Sequence, residues 1–202
     1  MRRYGLTGGI ASGKSTVAAM LREEGFPVLE ADRISHALIE PGGAAYREVI
    51  ARFGREIVDG GGRIDRPRLA AIVFADRQKL DELNAILHPR VEREALTELA
   101  KLEQAGAYPA AFLEAALIFE AGLDRGLDGV AVAWCLPEQQ LARLIERGMS
   151  EPEARQRIAM QLPVEEKLAR AAEKIDCSGG IDETRRQVRA LAARLRAAAP
   201  AN

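Results

Sequence analysis

The chain has 202 residues, 48% of them hydrophobic and 29% charged, and a formal net charge of −1. That length suits one α/β domain with an insertion or two small lobes, and the composition is that of a globular protein with a real core. A net charge so close to zero excludes a global field that recruits nucleic acid or an anionic membrane, and no apolar run approaches the roughly 18 residues that span a bilayer.

Residues 2–7 are short and end apolar, as a buried first strand does, and the chain runs straight into them, so no signal peptide is expected. Gly8-Gly9-Ile10-Ala11-Ser12-Gly13-Lys14-Ser15, with Thr16 behind it, fits G-x-x-x-x-G-K-[ST], the phosphate-binding P-loop. Gly8 and Gly13 let the backbone approach an anion closely. The loop amides turn towards that anion, and the next helix adds unpaired N–H groups and its positive dipole end. Lys14 supplies a mobile charge for the β- and γ-phosphates, and the Ser15 hydroxyl is a magnesium ligand. Val17, Met20 and Leu21 recur at helical spacing and Gly25 stops the helix. The loop thus lies between a strand and a helix, and the chain is read as binding a nucleotide.

Residues 26–29 are expected to form a second strand, ending in Glu30-Ala31-Asp32. Ligands bind beyond the carboxyl ends of the strands in an open α/β sheet, which sets Asp32 near a transferring phosphate. Alternatively Asp32 caps a helix over residues 33–39, and a carboxylate can do both. Pro41-Gly42-Gly43 breaks the chain. From 44 to 103 the pattern is mostly helical, with a turn at 60–62. Val49, Ile50 and Phe53, then Leu69, Ile72, Val73 and Phe74, then Leu80, Leu83, Ile86 and Leu87 are its apolar positions. His88-Pro89 predicts a break or kink, because proline in a helix interior removes an N–H and clashes with the preceding turn. This block interrupts the β–α alternation. It reads as an insertion that covers the active site and binds the second substrate, with a purely structural insertion as the alternative.

Residues 110–114 resume a buried strand, whose terminal Glu114 lies where P-loop proteins place a carboxylate that orients magnesium or its waters. Residues 129–135 make the next strand, and Pro137 opens a helix carrying Arg143 and Arg147. A turn at 148–152 leads to a second helix with Arg155, Arg157, Ile158 and Gln161, ended by Pro163. Arginines so close around a turn form either a lid that brings guanidiniums onto phosphates and excludes water, or an ordinary solvated hairpin. Residues 174–177 read as a weak last strand, and 182–199 as an amphipathic helix with Val188, Leu191 and Leu195 on one face. Residues 197–202 are expected to fray. Cys135 and Cys177 lie far apart and match no metal spacing; they are two reduced core thiols of a cytoplasmic protein, or a disulfide.

In order and spacing, these motifs resemble the dephospho-CoA kinase family over nearly the whole chain. Gly5-Leu6-Thr7-Gly8-Gly9-Ile10 through Lys14-Ser15 is similar to the family's GLTGGIGSGKS, and Glu30-Ala31-Asp32 to its D-A-D. Phe53-Gly54, Asp65-Arg66 with Leu69, Val73-Phe74 and His88-Pro89 follow the pattern of its insertion. Leu117-Ile118-Phe119-Glu120 is similar to its P-L-L-F-E, and Gln140, Arg143, Arg147, Arg157-Ile158 and Gln161 to its lid. Several positions depart from the pattern. Ala11 stands at a loop glycine, where a methyl sits easily only if φ is negative. Glu30 replaces the first Asp of D-A-D, His36 an arginine, Glu114 a shorter Asp and Ala116 a proline, while Cys177-Ser178-Gly179 replaces an I-D-N-x-G ending.

The resemblance implies a P-loop NTPase-type, doubly wound parallel sheet of about five strands with a helical substrate-binding insertion and a helical lid. Residues 1–40 and 108–202 would form the nucleotide-binding core, 41–107 the acceptor-binding insertion and 143–163 the lid. The implied reaction is ATP-dependent phosphorylation of the ribose 3′-hydroxyl of dephospho-CoA, giving coenzyme A and ADP. Its implied cofactor is Mg²⁺ carried by ATP, with no nucleic-acid, membrane or obligate protein partner. Gly9, Ile10, Ala11, Ser12, Gly13, Lys14, Ser15 and Thr16 would bind ATP together with Arg143 and Arg147. Lys14 and Asp32 would be catalytic, Asp32 as the base for the 3′-hydroxyl. Thr7, Asp32, Arg66 and His88 would bind dephospho-CoA. Ser15 would hold magnesium with ATP, and Glu114 would reach it through water.

Overall fold

The structure, a computed structural model, describes residues 1–198, and its backbone packing divides the chain into two units. One unit comprises residues 1–30 and those from 99 onward, the other residues 31–98. In chain order the elements begin β1 (Arg2–Thr7), α1 (Lys14–Glu23), β2 (Val28–Glu30), α2 (Ala31–Leu38), α3 (Tyr46–Phe53), α4 (Arg66–Phe74) and α5 (Arg77–Ala105). They continue with β3 (Ala110–Glu114), β4 (Gly129–Trp134), α6 (Pro137–Glu146), α7 (Glu151–Ala159), α8 (Val164–Arg170), β5 (Glu173–Asp176) and α9 (Ile181–Ala197).

In the first unit the five strands make one parallel sheet in the order β2-β3-β1-β4-β5. β1 is central: Leu6 pairs with Glu114 on one side and with Ala131 on the other. A parallel strand covered on both faces has no reason to alternate polar and apolar residues, and Tyr4-Gly5-Leu6-Thr7 is accordingly buried throughout. The helical spacing read at Val17 and Leu21 and at Val188, Leu191 and Leu195 turns those faces of α1 and α9 into a shared core. Tyr4, Leu6, Phe26, Phe112 and Ile175 complete it. Phe112 anchors the aromatic part, 5.8 Å from the Tyr4 ring and 5.9 Å from Phe26, the latter edge-on.

The strand ends differ from expectation by one or two residues. Phe26 and Pro27 precede β2, and Pro27 has no N–H to give to a ladder. β5 ends at Asp176, although the Cys177 N–H still donates to the Trp134 carbonyl at 2.7 Å. α7 stops at Ala159, so Gln161 lies in the turn that follows it, and Pro163 caps the start of α8 rather than the end of α7. The expected helical position of Ala199 and the fraying of 199–202 lie outside the described residues.

The second unit is helical. Asp65 caps α4, accepting the Arg68 N–H at 3.0 Å. The turn before it is closed by an antiparallel Val58–Ile64 bridge and by Asp59, whose side chain accepts the N–H groups of Gly61 and Arg63 at 2.8 and 2.9 Å. Those backbone donors hold the Asp59 carboxyl below its ordinary value. Pro89 does not break its helix: α5 continues from Arg77 to Ala105. Next to the proline, the Arg90 guanidinium donates to the Ile86 carbonyl at 2.6 Å and pairs with Glu48 of α3 at 2.5 Å. Burial of Ile86, Leu87 and Val91 adds tertiary packing that outweighs local propensity. Among the described residues no helix is long and apolar enough to cross a membrane.

Candidate functional site

β1 ends at Thr7 and α1 starts at Lys14, so the glycine-rich segment spans the gap between the central strand and the first helix. Gly13 is the residue before α1, at φ 101°, a conformation that an L side chain rarely adopts. A Cβ there would also press on the Cys177 side chain. The first-turn N–H groups of α1 have no intrahelical acceptor and are left for an anion. The Ser12 hydroxyl is buried in the loop without a hydrogen-bond partner among the described residues.

Ala11 takes φ 59°, and among the described residues it is the only non-glycine with positive φ. The left-handed region costs an L-residue about 1–2 kcal/mol, so the loop must be held in place by its neighbours. It is. Arg143 on α6 donates to the Ala11 carbonyl at 3.1 Å and to the Cys177 carbonyl at 2.9 Å. The neighbouring Ile10 peptide is gripped from two sides: the Gln140 amide donates to its carbonyl at 2.9 Å, and its N–H donates to the Gln161 side-chain oxygen at 2.7 Å. Only glycine at position 9 leaves room for this, because a Cβ would run into the Gln140 carboxamide.

Lys14 Nζ lies 2.7 Å from Glu114 Oε1, and Ser15 Oγ is 3.5 Å from the same oxygen. Glu114 is the last residue of β3, next to β1, which explains how a carboxylate a hundred positions away meets the P-loop lysine. Arg22 pairs with Glu30 at 2.6 Å and approaches Glu114 at 3.9 Å, so the acid that replaces the first Asp of the motif is engaged by an arginine of α1. A cavity of about 300 Å³ is lined by residues 9–16, Ala116, Arg147 and Gln161. A second, of about 270 Å³, shares its rim at Ala11, Gly13, Thr16 and Arg147 and extends to Arg143, Cys177, Gly179, Ile181 and Thr184.

The structure therefore brings residues 9–16, Glu114, Arg143 and Arg147 together, but not all in the same capacity. Arg147 is exposed at both cavities, whereas Arg143 is committed to backbone carbonyls. Thr7 is fully buried, its hydroxyl given to the Ala116 carbonyl at 3.1 Å. The helix-33–39 reading of Asp32 changes: α2 begins at Ala31, so Asp32 sits in the first turn rather than at the cap, where its charge still suits the helix dipole. Arg66 opens α4 with an exposed side chain. His88 is half-buried on α5, and desolvation pushes its pKa below the ordinary value.

Sequence spacing also separated two residues that the sheet puts side by side. Trp134 pairs with Asp176, so Cys135 and Cys177 follow in step at the ends of β4 and β5. Both are free buried thiols, raised in pKa chiefly by desolvation, Cys177 to about 11. Lys167, on α8, gave no signal at all, since a lysine beside Glu165 and Glu166 reads as a solvated charge. It is 1% exposed and paired with Glu120 at 2.9 Å.

A family model described as dephospho-CoA kinase matches residues 3–183. A dephospho-CoA kinase of Geobacillus kaustophilus is 47% identical over 188 residues, 93% of each chain. Among solved structures, TT1252 from Thermus thermophilus is 37% identical, with a TM-score of 0.79 over 96% of this chain and 97% of that one. A dephospho-CoA kinase from Campylobacter jejuni is 26% identical, with a TM-score of 0.73 over 96% of each.

Proposed function

Because the chain belongs to the dephospho-CoA kinase family, which carries out the last step of coenzyme A biosynthesis, we propose a division of labour among its residues for moving the ATP γ-phosphoryl group to the ribose 3′-hydroxyl of dephospho-CoA. The observation that carries it is the P-loop between β1 and α1, with Lys14 held against Glu114 beside a cavity that the loop itself lines.

Phosphoryl transfer has a loose transition state, so the protein chiefly positions its partners and neutralises charge. The amides of residues 9–16 cradle the phosphates, and Lys14 exchanges Glu114 for the β- and γ-phosphate oxygens. Arg147, exposed at the rim, closes on the phosphates, while Arg143 keeps Ala11 in its left-handed conformation. Asp32 accepts a hydrogen bond from the 3′-hydroxyl and takes its proton as the new O–P bond forms. Arg66 and His88 bind dephospho-CoA, and Thr7 supports that end of the site from within. Residues 1–40 and 108–202 serve as nucleotide-binding core, 41–107 as acceptor-binding insertion and 143–163 as lid.

The residues present also fit magnesium. Ser15 Oγ and the Glu114 carboxylate are hard oxygen donors 3.5 Å apart, and no cluster of three acidic, His or Cys side chains among the described residues could cage an ion by itself. That matches a cation held mostly by nucleotide oxygens and water, with Ser15 as ligand and Glu114 acting through water. Held there with ATP, magnesium would supply positive charge to offset that of the phosphates during transfer. The proposed place of work is the cytoplasm, where Cys135 and Cys177 would be kept as reduced thiols.

The test is ATP consumption by the purified chain with dephospho-CoA, beside AMP and adenosine as controls. ADP and a 3′-phosphorylated product are expected with dephospho-CoA alone. Equal turnover with AMP, or hydrolysis indifferent to the acceptor, would refute the proposal.

A further inference from the structure

The buried Lys167 ammonium is not part of the phosphate site, yet its bonds converge on segments that line it. Lys167 Nζ donates to Glu120 Oε1 and to the Ala116 carbonyl, both at 2.9 Å. Glu120 Oε1 also accepts the Leu162 N–H at 3.0 Å, and the Ala116 carbonyl also accepts the Thr7 hydroxyl at 3.1 Å. Thr7 is the last residue of β1 before the P-loop, and Leu162 directly follows Gln161, whose side-chain oxygen holds the Ile10 N–H. One ion pair therefore ties together the loop after β3, the exit of β1 and the turn between α7 and α8.

Such a pair is a poor way merely to fasten α8. Taking an ammonium and a mostly covered carboxylate out of water is unfavourable, and apolar side chains of the same volume often fasten a core at least as well. What apolar groups cannot do is fix a backbone N–H and a backbone carbonyl in direction, and the pair does both, at Leu162 and Ala116. Ala116 and Gln161 themselves line the cavity with residues 9–16.

Resting on the phosphoryl-transfer reading above, we infer that Lys167 and Glu120 are positioning residues that hold Leu162 so that the Gln161 carboxamide keeps the Ile10 peptide of the P-loop in register for transfer. With the pair gone, the turn at 161–162 loosens, ATP still binds the remaining cradle, and the bound γ-phosphoryl group is less often aligned with the acceptor and more often open to water.

The experiment compares wild type, Q161A, the uncharged pair E120Q/K167M and the triple combination, measuring kcat, KM for ATP, melting temperature, and ADP formed per molecule of dephospho-CoA phosphorylated. Gln at 120 keeps the volume but loses both the charge and the lysine that aim its oxygen at the Leu162 N–H, and Met at 167 fills the volume without charge. E120Q/K167M is expected to lose about ten-fold or more in kcat with KM for ATP within about three-fold. More than one ADP should appear per product. Q161A should show the same signature at wild-type melting temperature, and the triple variant should be no worse than either, because all act through one contact. Wild-type kcat and one-to-one stoichiometry in Q161A, or fully additive losses in the triple variant, would overturn the inference. An E120Q/K167M chain that melts early but turns over normally while folded would overturn it too. If wild type itself fails to phosphorylate dephospho-CoA, the functional reading falls and this inference with it; if wild type turns over and the variants match it, the inference alone falls.

Discussion

Arg143 separates two roles that a sequence cannot tell apart. As a lid residue waiting for ATP it would contribute nothing to the empty protein. In the structure it already makes two charge-assisted hydrogen bonds, to the Ala11 and Cys177 carbonyls at 3.1 and 2.9 Å. Arg143→Met keeps the aliphatic stem and removes both donors. Hydrogen bonds to charged groups contribute about 1.5–3 kcal/mol each, and since Arg143 is only half-buried the lower end applies, about 3 kcal/mol for the two. For a chain of this size a loss of 1 kcal/mol lowers the melting temperature by about 2–4 °C, so the variant should melt about 6–12 °C early. The assay is calorimetric unfolding without nucleotide, followed by ATP affinity at a temperature where both proteins are folded. A wild-type melting temperature together with weakened ATP binding would refute the reasoning and return Arg143 to the phosphates. Arg143→Lys, which keeps charge but only one well-directed donor at a time, should fall between the two.

Asp32→Asn should lower kcat by about 10²–10⁴ in a steady-state assay while leaving ATP affinity unchanged, if the carboxylate takes the proton of the 3′-hydroxyl; turnover within a few-fold of wild type would leave it only a first-turn charge of α2. His88 is held below its ordinary pKa by desolvation, so the unfolded chain takes up its proton first as pH falls. Stability should therefore be intact above the ordinary histidine pKa and decline as pH drops from there through the lowered one; urea midpoints should show a smaller decline in H88Q. Cys177 titrates in the other direction, with a folded pKa of about 11 against an ordinary 9.0. The unfolded thiol ionises first, so stability should fall as pH climbs from about 9 towards 11, and C177A should flatten that part of the profile.

The P-loop, β1, α1, β3 and β4 were legible because each rests on local rules. A glycine-lysine-serine spacing, a helical apolar period and a buried run before an acid all declare themselves within ten residues. What escaped was decided by partners distant in sequence. Pro89 sits within an unbroken helix beside an Arg90 that bonds Ile86 and reaches Glu48 on another helix. Cys135 and Cys177 become neighbours only once β4 and β5 pair. Ala11 was recognisable as a departure, but the sign of its φ was not, since that depends on the Arg143 and Gln140 side chains of α6. Lys167 was invisible because nothing in a charged heptapeptide says which charge will point inward.

The central place of β1 has a consequence for how the protein is made. The strand that ends in the phosphate cradle leaves the ribosome before either of its sheet partners, both of which are encoded more than a hundred positions later. At about 5–20 residues per second, roughly 5–25 s pass between synthesis of the cradle and of the second flanking strand. Throughout that interval the nascent chain carries the full nucleotide-gripping motif with no scaffold to brace it. Gripping is thus deferred until translation has passed β4, and a truncated product ending before β3 should be blind to ATP.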